Sequence, residues 1–281
     1  MRLARFGPFR QEKPALVDAQ GRLRDASSLA SDWTPAFFQS GGLEKLRNVN
    51  LDTLPLVSAD ARLGCCVPRP GKLIGIGLNY ADHAAESGMA LPAEPIVFLK
   101  ATNTVVGPND NILIPRGSEK TDWEVELGVV IARETRYLSS PAEAATRIAG
   151  YCVSNDVSER AFQLERGGQW TKGKSCDTFN PLGPWLVTPD KIPDPANLGL
   201  RLWVNDEPRQ NGSTRTMIFN VPFLVHYLSQ FMTLEPGDVI TTGTPPGVGL
   251  GMKPPRYLRA GDIVTLEIDH LGRQRSLCRN A

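Results

Sequence analysis

From about residue 72 onward the apolar positions fall in short runs: KLIGIGLN, EPIVFLK, DNILIP, WEVELGVVIA, AGYCVSND, GPWLVT, LGLRLWVND, GDVITTGTP and DIVTLEID. Gly, Pro, Asn and Asp separate them, so each run has the length and the punctuation of a strand, and the pattern predicts a mainly β domain with few helices. Two stretches break the rhythm. YADHAAESG, from about Tyr80, and VPFLVHYLSQFMTL, from about Val221, read as helices, and the second is apolar nearly all round, as a helix packed on a sheet should be. Ahead of them, RLARF, PALVD and RLRDA alternate around the turn Ala19-Gln20-Gly21, with a helical stretch near GLEKLR; the Pro-rich VPRPGK at 67–72 reads as a boundary. The expected organisation is α+β and mainly β, with a small α/β N-terminal domain over 1–68 and a main domain over 69–281.

One run carries a contradiction. TDWEVELGVVIA at 121–132 looks like a buried strand, yet Glu124 and Glu126 stand two positions apart and so point to one face, where they repel unless a cation sits between them. A third acid, Asp156, ends the run AGYCVSND, just where the chain turns into the helix-like VSERAFQLE. Alone, Asp156 reads as a helix N-cap. The three carboxylates together read as the hard oxygen set that suits magnesium, manganese or calcium.

Further polar residues cluster around these acids in the sequence. His83 and Glu86 are three apart in a predicted helix and share a face, close enough for the carboxylate to orient the imidazole as a base; on an isolated helix the same pair is an ordinary surface contact. Lys172 and Lys174 lie in a segment too rich in Gly, Asn and Pro for regular structure to be expected, where a lysine near a metal can bind a carboxylate or an oxyanion. GIGLNY at 75–80 has the strand, glycines and helix of a dinucleotide fingerprint, but Tyr80 stands where the third glycine is required; GTPPGVGLG at 243–251 lacks the GK[ST] ending of a phosphate loop and reads as a rigid turn at a pocket wall. His226 reads as a core or interface histidine and His270 as surface.

Composition narrows the function class. With 31 Lys+Arg against 30 Asp+Glu, the net charge of +1 gives no bulk drive toward nucleic acid or an anionic membrane. No run is long enough to span a bilayer, and the start lacks a signal-peptide core, so a cytoplasmic protein acting on a small molecule is expected. Five cysteines without a CxxC pair argue for reduced thiols rather than disulfides or zinc, with Cys176 expected to be a small buried residue.

IGLNYADHAAE, EPIVFLK, WEVELGVVIA, SNDVSER, KGKSCDTFNPLGPW and PGDVITTGTPPGVG, in this order and spacing, resemble the fumarylacetoacetate hydrolase family from about Lys72 onward. The resemblance implies a mixed β-roll core, a divalent metal, usually magnesium, and a homodimer. It implies Glu124, Glu126 and Asp156 as metal ligands, His83 with Glu86 as the pair that activates water, and Lys174 as the active-site lysine. Arg160 and Gln163 resemble residues that contact substrate or hold a lid, and Lys100 and Thr244 match positions lining the substrate pocket. Hydrolytic members cleave a C–C bond in 1,3-diketo acids. The phrases TFNPLGPWLVT and TMIFNVPFLVHYLSQF are most like members acting on 2,4-diketo-3-deoxy-L-fuconate or -rhamnonate, which yield pyruvate plus a 2-hydroxy acid. Ureidoglycolate lyase, acylpyruvate hydrolase, oxaloacetate decarboxylase and diene-dioate isomerase activities all suit the same site, and a non-catalytic metal-binding scaffold is the rival from outside enzymology.

Overall fold

The computed structural model describes residues 1–86 and 88–281; Ser87, at the end of the helix expected from Tyr80, lies outside the described residues. Every strand expected from the apolar runs forms. Nine strands make one sheet in the order Leu23–Asp25, Lys13–Val17, Arg2–Phe6, Leu186–Val187, Ile148–Asn155, Val125–Ile131, Val239–Thr241, Leu73–Gly77 and Ile96–Lys100. The three N-terminal strands form one edge of this sheet, joined through the antiparallel pair Leu3 and Leu186. A second sheet runs Glu207–Ser213, Gly199–Val204, Ile263–Ile268, Gly272–Asn280 and Ile112–Ile114.

Val125, Leu127 and Val129 from the first sheet share a core with Leu200, Leu202, Val264 and Leu266 from the second. That placement explains why Val125–Ile131 reads as an unbroken apolar run: it is buried along its whole length, flanked by strands on both sides. It also sets the cost of putting Glu126 there, which has to be met by specific partners.

Two strands of these sheets lie outside the apolar pattern. Glu207–Ser213 and Gly272–Asn280 are polar in sequence, and in the second the buried positions alternate as Gln274, Ser276 and Cys278. The period of two is present, but inward-facing polar residues hide it. Gln274 stays buried because its Nε2 donates to the carbonyls of Val153 (2.8 Å), Gly183 (2.9 Å) and Pro181 (3.2 Å). Gln210 does the same in the other strand, accepting from the Val125 N–H at 2.9 Å and donating to Thr244 at 2.8 Å.

The two expected helices form as Ala81–Glu86 and Val221–Ser229, the latter capped by Asn220, whose side chain accepts from the Phe223 N–H. It stops short of the apolar stretch, because Leu234 leaves to bridge Thr135. No helix among the described residues is long and apolar enough to cross a membrane. The cysteines are free thiols, four of them buried and Cys176 half-exposed, so the expectation of a buried Cys176 is corrected.

Candidate active site

The acids converge at one edge of two neighbouring central strands. Glu124 immediately precedes the strand Val125–Ile131, Glu126 lies within it, and Asp156 immediately follows its neighbour Ile148–Asn155, with the Asp156 N–H bonded to the Glu124 carbonyl at 3.0 Å. One carboxylate oxygen from each lies within 4.8 Å of the others, and all three residues are buried.

What surrounds them is an alternating chain of charges. Lys100 donates to Asp156; Lys174 Nζ bridges Asp156 (2.7 Å) and Glu124 (2.8 Å); Arg160 Nη2 donates to the other Glu124 oxygen (2.7 Å) and its Nε to Asp122 (2.8 Å). Three cations and three acids balance in this network. Glu126 stands outside it, accepting, among the described residues, only from the Thr241 hydroxyl and the Gly243 N–H. The charges follow from this geometry. Burial pushes the Glu126 carboxyl up, and the Asp156 and Glu124 carboxylates push it the same way. For Glu124, burial is outweighed by Lys174 and Arg160, which hold it well below the usual carboxylate range. Burial takes Lys100 below the ordinary lysine value, whereas in Lys174 the carboxylates of Asp156 and Glu124 overcome burial and raise it. A buried acid cluster already bridged by an ammonium, with one carboxylate left uncompensated, is a donor set that fits a divalent cation.

A cavity of about 750 Å³ opens onto this cluster. His83, Glu86, Glu124, Glu126, Asp156, Arg160, Gln163, Lys174 and Thr244 all reach its wall, so nine of the ten residues expected from the sequence come together. Lys100 is the exception. It is fully buried behind Asp156, with its second bond to the Phe179 carbonyl at 2.8 Å, and is corrected from a pocket-lining to a supporting position. Arg160, expected to meet substrate, has its guanidinium committed to Asp122, Glu124 and the Gln163 amide oxygen.

The helix bearing His83 is set by what precedes it. Leu73–Gly77 ends in a left-handed residue, Leu78 (φ 51°), and buried Asn79 then clamps the turn by donating to the Thr242 and Phe219 carbonyls at 2.8 and 3.0 Å. His83 Nδ1 lies 3.3 Å from Glu86, and Glu86 also accepts from the Gly247 N–H at 3.2 Å, tying the helix to the 243–251 loop. The glycines of GIGLNY serve packing: a Cβ on Gly75 would meet Phe98 at 2.2 Å, and one on Gly77 would meet Trp170 at 2.5 Å.

Lys174 sits on a single helical turn, Thr171–Lys174, where irregular structure is expected from the sequence. Its N–H and that of Gly173 both bond the Trp170 carbonyl, at 3.1 and 2.9 Å, and Gly173 allows the turn to press against Arg160–Leu164. One important residue escapes the sequence reading altogether. Asp122 is fully buried and accepts from Arg160, from the N–H groups of Gly249 (2.7 Å) and Leu250 (2.9 Å), and from Trp123 (2.8 Å). Its position two residues before Glu124 is the only signal of this role that the sequence carries.

A central sheet whose strand ends present a buried acid cluster to a cavity that also holds a His–Glu pair defines an enzyme-type site of the metal-fitting class. The chain belongs to the fumarylacetoacetate hydrolase family: residues 72–277 match the family model described as "Fumarylacetoacetate (FAA) hydrolase C-terminal". A Burkholderia ambifaria relative, named provisionally as a hydrolase with no substrate given, is 59% identical over 282 residues, covering both chains completely. Among solved structures, fumarylacetoacetate hydrolase from the psychrophile Exiguobacterium antarcticum is similar at a TM-score of 0.89 and 35% identity, with both chains fully covered. Maleylpyruvate hydrolase from Sphingobium sp. SYK-6, solved with manganese(II) and pyruvate, is similar at 0.83 and 29% identity, again over the whole of both chains.

Proposed function

We propose that the chain is a divalent-metal-dependent hydrolase of 2,4-diketo acids, cleaving the bond between C3 and C4 to give pyruvate and a second carboxylic acid, and that it works as a homodimer. The observation that carries this reading is the single cavity onto which the acid cluster, the His83–Glu86 pair, Gln163 and Lys174 all open. The manganese and pyruvate held by the Sphingobium relative support it.

Glu124, Glu126 and Asp156 would hold the ion, magnesium first among the hard cations, and it would supply positive charge for the 2-oxo acid end of the substrate. With Nδ1 donating to Glu86, the His83 Nε2 is left as the base. It removes a proton from water, the oxygen adds to the C4 carbonyl, and Glu86 steadies the imidazolium. Lys174 and the Gln163 amide hold the substrate carboxylate or the oxyanion formed at C4. When the C3–C4 bond breaks, its electron pair passes to C3 as the pyruvate enolate, and the proton held by His83 returns to that carbon. Charge supports the substrate class as well: with a divalent ion balancing Glu126, the site has one positive charge in surplus, which a single carboxylate neutralises.

The test is pyruvate release from 2,4-diketo-3-deoxy-L-fuconate, its rhamnonate isomer and simple acylpyruvates, with magnesium and then with excess chelator, while glyoxylate and carbon dioxide are followed in parallel. Chelator-sensitive pyruvate is expected. Glyoxylate or carbon dioxide without hydrolytic pyruvate would replace this reading with a lyase or a decarboxylase on the same residues.

A further inference from the structure

The cavity wall is charged in part and apolar in part: beside the acids, His83 and Lys174 it includes Met89, Phe98, Leu164, Trp170, Leu250 and Met252. Three of these are exposed large hydrophobics, with Met89 53%, Leu164 46% and Leu250 39% accessible. They come from three separate segments and line one cavity, where apolar surface left in water costs stability unless something covers it. The wall is also fixed in place. Trp170 packs on Phe98 with ring centroids 5.5 Å apart and fills the space that Gly77 leaves, and Leu250 is held through its backbone by Asp122.

Polar partners for the far end of a substrate are scarce. Arg160 is engaged by acids, Lys174 and the Gln163 amide serve the diketo-acid end in the reading above, and the Thr244 hydroxyl donates to the Val125 carbonyl at 2.9 Å while accepting from Gln210. The remaining wall cation, Lys253, is exposed, where an ion pair contributes little.

We propose that the group on C4 of the substrate is an apolar chain or ring, carrying neither a polyol nor a second carboxylate, and that Leu164, Trp170 and Leu250 select it. This rests on the 2,4-diketo-acid reading above and narrows it from the whole class to acylpyruvates with hydrophobic acyl groups. The physical warrant is that each methylene moved from water onto this wall is worth up to ~0.8 kcal/mol, or roughly two- to four-fold in specificity per carbon.

The experiment is a series of acylpyruvates from acetyl to heptanoyl and phenylacetyl, beside the fuconate-type and maleyl-type substrates, assayed for kcat/KM with the magnesium-loaded protein. Binding of non-cleavable saturated 2-oxo acids with the same tails is measured in parallel by calorimetry. Specificity rising two- to four-fold per carbon, and affinity rising in step, is the expected result. In Leu164→Ser and Leu250→Ser, both at accessible positions, the ratio between the longest and shortest tails is expected to collapse by about ten-fold. A flat series, or preference for the hydroxylated substrate, overturns the proposal while leaving the diketo-acid reading intact. Preference for the diacid, lost in Lys253→Ala, overturns it in favour of a charged anchor. If no diketo acid is cleaved, the reaction assignment fails, and the calorimetric series decides the tail by itself: affinity that climbs with chain length supports the apolar wall, and affinity that does not sinks it.

Discussion

Asp122 shows how far the site reaches beyond its cavity. Its two oxygens receive four donors, two from the 243–251 loop, one from Trp123 and one from Arg160, whose other arm holds Glu124. The loop that walls the cavity and the carboxylate that faces it are therefore positioned by one side chain. Replacing it by asparagine keeps the shape but puts an NH2 group against donors and leaves Arg160 half-paired. Asp122→Asn is expected to cost about 3–5 kcal/mol in stability, the usual penalty for breaking a buried ion pair, and on the order of ten-fold in divalent-metal affinity. Urea unfolding and metal titration read the two effects separately, and an unchanged metal affinity would show that Glu124 does not depend on this support. The three acids facing the cavity are legible in the sequence because alternation in a strand puts Glu124 and Glu126 on one side and a strand end presents Asp156. Asp122 and the buried stance of Lys100 are not legible, since each depends on which residue lies opposite in space.

At the scale of elements, the strands are readable wherever their inward positions are apolar, and Gly272–Asn280 is missed because glutamine and serine occupy them. The helical turn Thr171–Lys174 is missed for a different reason: its composition speaks for a loop, and only contact with Arg160–Leu164 makes it helical. The contact is close enough to test. A Cβ on Gly173 would lie 2.5 Å from the Glu159 carbonyl oxygen and 2.6 Å from the Gln163 Cβ, so the turn has to move outward and take Lys174 with it. Gly173→Ala is expected to destabilise the protein by about 1–3 kcal/mol as an overpacked site, and to lower kcat by on the order of 100-fold through the misplaced ammonium. Gly117→Ala is the control, strained by its φ of 69° but free of any neighbour within 4 Å, and should lose stability with kcat retained.

For the whole molecule, the proposed ion site at the uncompensated Glu126 would make folding and ion binding one equilibrium. Without a divalent cation the fold keeps a buried carboxylate whose neighbours are Asp156 and Glu124, and burial with their repulsion pushes its proton affinity up. A cation that binds the assembled strand ends and not the unfolded chain stabilises the fold by RT ln(1 + [L]/Kd), which at a hundred-fold excess over Kd is about 2.7 kcal/mol. For a chain of this size that corresponds to a rise in Tm of roughly 5–10 °C. The rise is expected with magnesium or manganese, to be reversed by chelator, and to be lost in Glu126→Gln. That variant keeps the shape and cannot ionise, so its ion-free form should melt no lower than the parent chain. Differential scanning calorimetry with and without the ion measures both quantities in one pair of scans. A parent chain whose Tm ignores divalent cations would show that the ammonium of Lys174 satisfies the acid cluster unaided, and that the three carboxylates are a structural network.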